Sequence, residues 1–249
     1  MIARAARATI VASLPRLERM LLAGGIATVT LLSWTYLLGR PVPSMHSTGH
    51  GLAVVLPMWA VMMCGMMLPS AAPMLLTYER VSSRMPRGHL ARTLLFVVAY
   101  LALWVGVSFV GAAGQIGLRD TGMLSHLGAS TRPLLSAALL LTAGAYQLSP
   151  LKQACLHRCR TPMGFVLAEW RPGSRGALAM GLRHGAECVL CCWALMGLAF
   201  VLGTMNLLCM AALTILMLAE KIFPRGRQIG LLAGCAFLLW GALVLVRGV

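Results

Sequence analysis

The chain has 249 residues, of which 59% are hydrophobic and only 11% are charged. A soluble domain carries roughly 25% charged residues, so that class is excluded. The net charge of +15 does not point to nucleic acid. The basic residues punctuate apolar runs and form no single face, which is the pattern of a protein set against a lipid bilayer.

Residues 1–19 carry Arg4, Arg7, Arg16 and Arg19 among alanines. They read as a basic amphipathic lead-in on the cytoplasmic surface. The first span covers 20–38 and ends at Arg40-Pro41-Val42-Pro43, where proline stops a helix. This run is too long for a signal-peptide core, and no small-residue cleavage pattern closes it. The loop that follows offers His46 and His50. The two share a face if a helix begins there, and they would then capture metal. Exposed histidines also titrate and hydrogen-bond in many other roles.

The second span covers 51–78, with Pro57, Pro69 and Pro73 predicting a kinked helix. Met62 and Met66 fall four apart on one stripe, and Met63 and Met67 repeat the spacing beside it. Thioethers are soft ligands suited to Cu(I). Methionine is also a flexible gap filler, and packing alone would account for such a stripe. A basic loop, 79–92, leads to span three at 93–116. A polar loop and span four at 133–148 follow.

The longest loop is expected at 149–175, with its apolar middle, 163–168, dipping back toward the membrane. It holds Cys155, His157 and Cys159, a C-x-H-x-C pattern that is too tight for a zinc finger. The flanking Lys152, Arg158 and Arg160 are expected to favour thiolate and make the pair reactive as a secondary metal or redox site. The alternative is an incidental reduced pair beside the headgroups.

Span five, 176–203, carries the most concentrated chemistry. His184, Glu187, Cys188 and Cys191 recur at helical spacing on one stripe, and Cys192 flanks it. Ionisable groups and thiols inside a span face the bundle interior and mark a site. Imidazole, carboxylate and thiolate are metal ligands, and thiolate selects soft ions. Cysteine packed as a small hydrophobe is the competing reading. The Met62–Met67 cluster lies at a similar depth, so span two is expected against span five.

Span six runs from a turn at 204–206 to Phe223, with Asn206 as its cap. At its end, Lys221 is expected to snorkel to the interface, and Glu220 to find Arg183 or His184. Span seven covers 228–246.

With the N-terminus inside, only Arg40, Arg119, Arg132 and Arg247 fall on the outer side. Every loop then obeys the positive-inside rule. The expected fold is an all-α polytopic transmembrane bundle of seven spans, 20–249, in a bacterial inner membrane, with an external C-terminus.

Met58-Trp59-x-x-Met62-Met63-x-x-Met66-Met67-Leu68-Pro69-Ser70 resembles the signature of a bacterial family of uncharacterised, predicted metal-binding integral membrane proteins. Tyr146 to Lys152 with Cys155, Cys159 and Arg160 is similar to a second block of it. His184-Gly185, Cys188, Cys191-Cys192-Trp193 and Glu220-Lys221 resemble a third. The resemblance covers about 52–223 and implies a multi-span protein with a metal site.

The leading function is membrane-embedded transition-metal binding, with copper ahead of zinc or iron. It would serve metal handling or support a partner membrane subunit or a metal-delivery protein. One alternative is a copper-dependent oxidase or monooxygenase acting on a lipophilic substrate, to which His184 and Glu187 are better suited. The other is a structural membrane subunit without metal.

Overall fold

Prolines and glycines punctuate the chain. Pro133, Pro150 and Pro162 each open a helix, where the missing N–H costs nothing and φ is preset. The computed structural model describes residues 2–39, 51–85, 88–125, 128–204 and 206–248, with side chains from Leu17 onward. Its helices in chain order are α1 (Ile2–Gly39), α2 (Leu52–Ser82), α3 (His89–Asp120), α4 (Pro133–Leu148) and α5 (Pro150–Arg160). Then come α6 (Pro162–Glu169), α7 (Gly173–Gly197), α8 (Ala199–Leu202), α9 (Leu207–Ile222) and α10 (Gly226–Arg247). No strand occurs among the described residues.

Five stretches are long and apolar enough to cross a membrane: Leu17–Gly39, Leu52–Ser82, His89–Asp120, Gly173–Leu202 and Gly226–Arg247. The pair α4 and α5, bent by 64° at its junction, makes a sixth candidate when counted as one broken span. Helix α9 has 16 residues. That is about 24 Å at 1.5 Å per residue, against roughly 30 Å of hydrocarbon.

The stretch 149–175 is not a loop with a dipping middle. It folds as α5 and α6, and the Ser149 hydroxyl accepts from the Lys152 amide to start α5. Helix α2 passes unbroken through its three prolines. Pro69 has no N–H to give the Gly65 carbonyl. The Trp34 indole of α1 donates to that carbonyl instead, at 3.3 Å. Asn206 caps α9 as expected, accepting from the amides of Leu208 and Cys209.

Close helix approach rests on small residues. A Cβ on Gly144 of α4 would stand 2.8 Å from the Gly234 carbonyl oxygen of α10. A Cβ on Gly181 of α7 would collide with the Phe96 carbonyl oxygen of α3. Without a water-driven force between helices in lipid, such contacts supply dispersion that bulky residues would block.

The contacts also give helix directions. Tyr78 stacks on Phe96, while Trp59 donates to Gln115 at 2.7 Å, so α2 and α3 are antiparallel. Gly181 meets Phe96 and Gly185 meets Leu103, so α3 and α7 are parallel. Gly144 meets Gly234 and Gly241 meets Leu141, so α4 and α10 are antiparallel. Gln147 and Glu220 meet at the ends of α4 and α9, so those two helices finish at one level.

Candidate metal centre

One turn and a half of α7 gathers the site. Cys188, Cys191 and Cys192 are buried, with 0%, 2% and 1% of their surface exposed. Their sulfurs lie within 4.8 Å of one another. Helical spacing of three and four brings them together, and nothing but local geometry is needed. With a metal–sulfur bond of about 2.3 Å, two sulfurs across an ion stand about 4.6 Å apart. The trio therefore matches what a thiolate-bound ion requires. Cys191 and Cys192 both donate to the Cys188 carbonyl, at 3.1 and 3.0 Å.

Three other helices complete the surroundings. Lys221 of α9 turns inward, its ammonium 3.1 Å from the Cys188 sulfur and 3.0 Å from the Ser70 hydroxyl. The expected snorkelling of Lys221 to the interface is thus wrong, because a thiol and a hydroxyl inside the bundle hold its charge. From α3, the Tyr100 hydroxyl lies 3.5 Å from the same sulfur and donates to the Met67 carbonyl at 3.3 Å. From α5, the Cys159 thiol lies within electrostatic reach of Cys191 and Cys188.

His184 is buried, and neither ring nitrogen has a hydrogen-bond partner. Its ring lies 5.5 Å from Tyr100 and 6.1 Å from Phe96 in near-parallel stacks, and 5.6 Å edge-on from Phe165. It lies within electrostatic reach of Cys191 and Lys221. Leaving a buried polar group without a partner costs roughly 1–3 kcal/mol. His184 falls outside the group of ligand atoms that lie within 4.8 Å of one another.

Glu187 is engaged differently. It accepts from Arg158 of α5 at 2.8 Å and lies 3.6 Å from Arg183, on the flank of the trio. Met62, Met63, Met66 and Met67 are all buried. Helix α2 packs chiefly on α1 and α3, while α7 packs chiefly on α3 and α5. The expected contact of span two with span five is therefore made through intermediaries. Tyr100 joins Met67 to Cys188, and Lys221 joins Ser70 to Cys188.

The basic loop differs from expectation for a clear reason. On a helix, the C-x-H-x-C spacing sends the middle residue to the opposite face. Cys155 and Cys159 are buried while His157 is exposed. The three cations expected to activate the thiols are occupied. Lys152 pairs with Glu220 at 2.7 Å, Arg158 with Glu187, and Arg160 donates to the Phe223 and Pro224 carbonyls. Glu220 meets neither Arg183 nor His184. Its partners are Lys152 and Gln147, the latter at 2.6 Å, in a buried polar knot. His46 and His50 lie outside the described residues.

Sequence reasoning missed Tyr100, Ser70, the inward turn of Lys221 and the approach of Cys159 to Cys191. Only Lys221 had a signal, as a cation beside a carboxylate at the end of an apolar span.

No curated protein and no solved structure matches the chain. A model of the PpoB2 family, described as copper chaperone, matches residues 56–244. That span contains the α7 thiols, the α5 thiols, Lys221 and the methionines of α2. The chain belongs to this copper chaperone family.

Proposed function

We propose that this protein is a membrane-embedded copper chaperone that carries Cu(I) on the α7 thiols. The observation that carries the reading is the trio of buried sulfurs within 4.8 Å of one another, inside an apolar helix. Thiolate selects soft monovalent copper over hard cations. A buried thiolate cluster needs positive charge. Lys221 supplies one, and the cargo ion supplies the rest. His184 adds a nitrogen ligand, and the buried thioethers of Met62, Met63, Met66 and Met67 form a soft wall on α2. Glu187, held at Oε1 by Arg158 and Arg183, shapes the flank of the site, and its buried Oε2 has no hydrogen-bond partner.

The membrane arrangement belongs to the same proposal. Residues 20–249 form one bundle of seven spans in a bacterial inner membrane, the N-terminus and the α5 end lying inside. Residues 1–19 are its basic lead-in. The alternating helix directions support this count, and so does the excess of Arg and Lys at the α5 end. Helices α4 and α9 are short for a bilayer, and the knot of Lys152, Gln147 and Glu220 closes the bundle below them. The outgoing partner is a membrane complex or carrier that takes copper from this site.

Replacing Cys188 and Cys191 together with serine tests the reading. Volume changes little, but soft ligands become hard. Copper per purified chain should fall to background while the protein still inserts in the membrane. Cys235, exposed on α10, is the control, and its serine variant should keep wild-type copper. Full copper content in the double variant would refute the site.

A further inference from the structure

Beside the α7 trio, two further thiols of α5 are unexplained by the family and the trio alone. Cys155 and Cys159 stand four residues apart on α5, so their side chains are neighbours, about 5–6 Å between Cβ atoms. The Arg158–Glu187 pair sets this end of α5 against α7, and Cys159 and Cys155 both lie within electrostatic reach of Cys191. Burial is deeper on α7 than on α5. Cys155 and Cys159 keep 8% and 9% of their surface, against 0–2% for the trio. Helix α5 is also held in place at both ends. Lys152 ties it to Glu220 of α9 at 2.7 Å, and Arg158 ties it to Glu187 of α7 at 2.8 Å. Packing alone needs no thiol at either position, since alanine or valine would fill an apolar face as well.

We infer that Cys155 and Cys159 form a ligand-exchange relay that loads Cu(I) onto the α7 trio from the α5 end of the bundle. This deepens the chaperone reading and rests on it. The donor is a soluble Cu(I)–thiolate complex. At each hop a copper–sulfur bond forms to the next thiolate as one breaks to the last. The incoming thiol gives up its proton and the outgoing sulfur takes one, and copper stays monovalent throughout. The route runs from donor to Cys155, to Cys159, to Cys191, and then to Cys188 and Cys192. Fixing α5 on α7 through Arg158–Glu187 and on α9 through Lys152–Glu220 keeps successive sulfurs within reach, so that no helix movement is required between hops.

The test is stopped-flow transfer of Cu(I) from its bicinchoninate complex to purified, detergent-solubilised full-length protein, followed by loss of the complex's colour. In the Cys155→Ser/Cys159→Ser variant, final copper per chain should equal wild type. Its loading rate should drop roughly tenfold or more, a barrier rise of about 1.4 kcal/mol at the least. Loading at the wild-type rate would overturn the relay. So would a lower final copper content, which would make the α5 thiols resting ligands instead. The Cys155→Ala/Cys159→Ala variant, checked for helix content, guards against a misfolded serine pair. The Cys188→Ser/Cys191→Ser variant reports separately: if it still fills, the chaperone reading fails, whatever the relay variants do.

Discussion

Lys152 and Glu220 show how this protein carries charge inside an apolar bundle. Both are almost wholly buried, 2.7 Å apart, and Gln147 donates to the same carboxylate. Removing one partner of a buried pair leaves an uncompensated charge, at a cost of about 3–5 kcal/mol. Replacing both with apolar residues of similar size is often neutral. Lys152→Met should therefore lower the thermal midpoint in detergent sharply, while Lys152→Met/Glu220→Leu should recover most of it. A double variant as unstable as the single one would show that the knot holds α4, α5 and α9 through Gln147 or by shape. His184 presents the opposite case, a buried ring without polar partners. His184→Phe keeps the aromatic stack with Tyr100 and Phe96 but offers no ligand. Its stability should match or exceed wild type, and its copper affinity should fall by roughly 10–100-fold, the usual scale for loss of a supporting metal group. Titration against a Cu(I) chelator measures it.

Helix α7 is placed by α3, and the contact depends on Gly181. A side chain there meets the Phe96 carbonyl, which is backbone and cannot rotate away. Gly181→Val should push α7 off α3, move Cys188 from Tyr100 and destabilise by about 1–3 kcal/mol, as overpacking generally does. Gly197→Ala, on the same helix, meets only the Leu139 methyl at 3.7 Å, an ordinary contact. It should be silent in both melting temperature and copper content. The difference between these glycines is not legible in the sequence, since each sits in the same kind of apolar run. What the sequence shows well is local. The long helices follow from apolar runs bounded by proline and glycine, and the Cys188, Cys191 and Cys192 trio follows from helical spacing. Helix α5 was hidden because a short basic helix at a bundle end has the composition of a loop, and α6 because an apolar run of eight residues reads as a segment dipping into the membrane. Cys159, Tyr100 and Lys221 were hidden because they reach the trio from other helices, and helix packing, not periodicity, decides that.

At the scale of the molecule, the thiols sit toward the end of the bundle where α5, α9 and α10 meet. Lys221 lies in the last turn of α9, and Cys159 in the last turn of α5, yet both reach the trio. In the proposed relay the donor arrives at the α5 end, so topology decides which compartment supplies copper. The α3–α4 connection and the α8–α9 turn meet at the other end, where the Ser130 amide donates to the Phe200 carbonyl at 2.7 Å. Arg and Lys crowd the α5 end, which the positive-inside rule assigns to the cytoplasm. Reporter fusions after Gly88, at the α2–α3 connection, and after Gly248, beyond α10, discriminate between arrangements. With seven spans they stand on opposite sides, Gly88 in the cytoplasm and Gly248 outside. If α9 is too short to cross, the chain after it inverts and both fusions report the cytoplasm. That result would remove span six, α9, and leave α10 entering from the other face. The parallel ends of α4 and α9 at the Gln147–Glu220 contact argue for the first outcome, because α10, antiparallel to α4, begins at that same end.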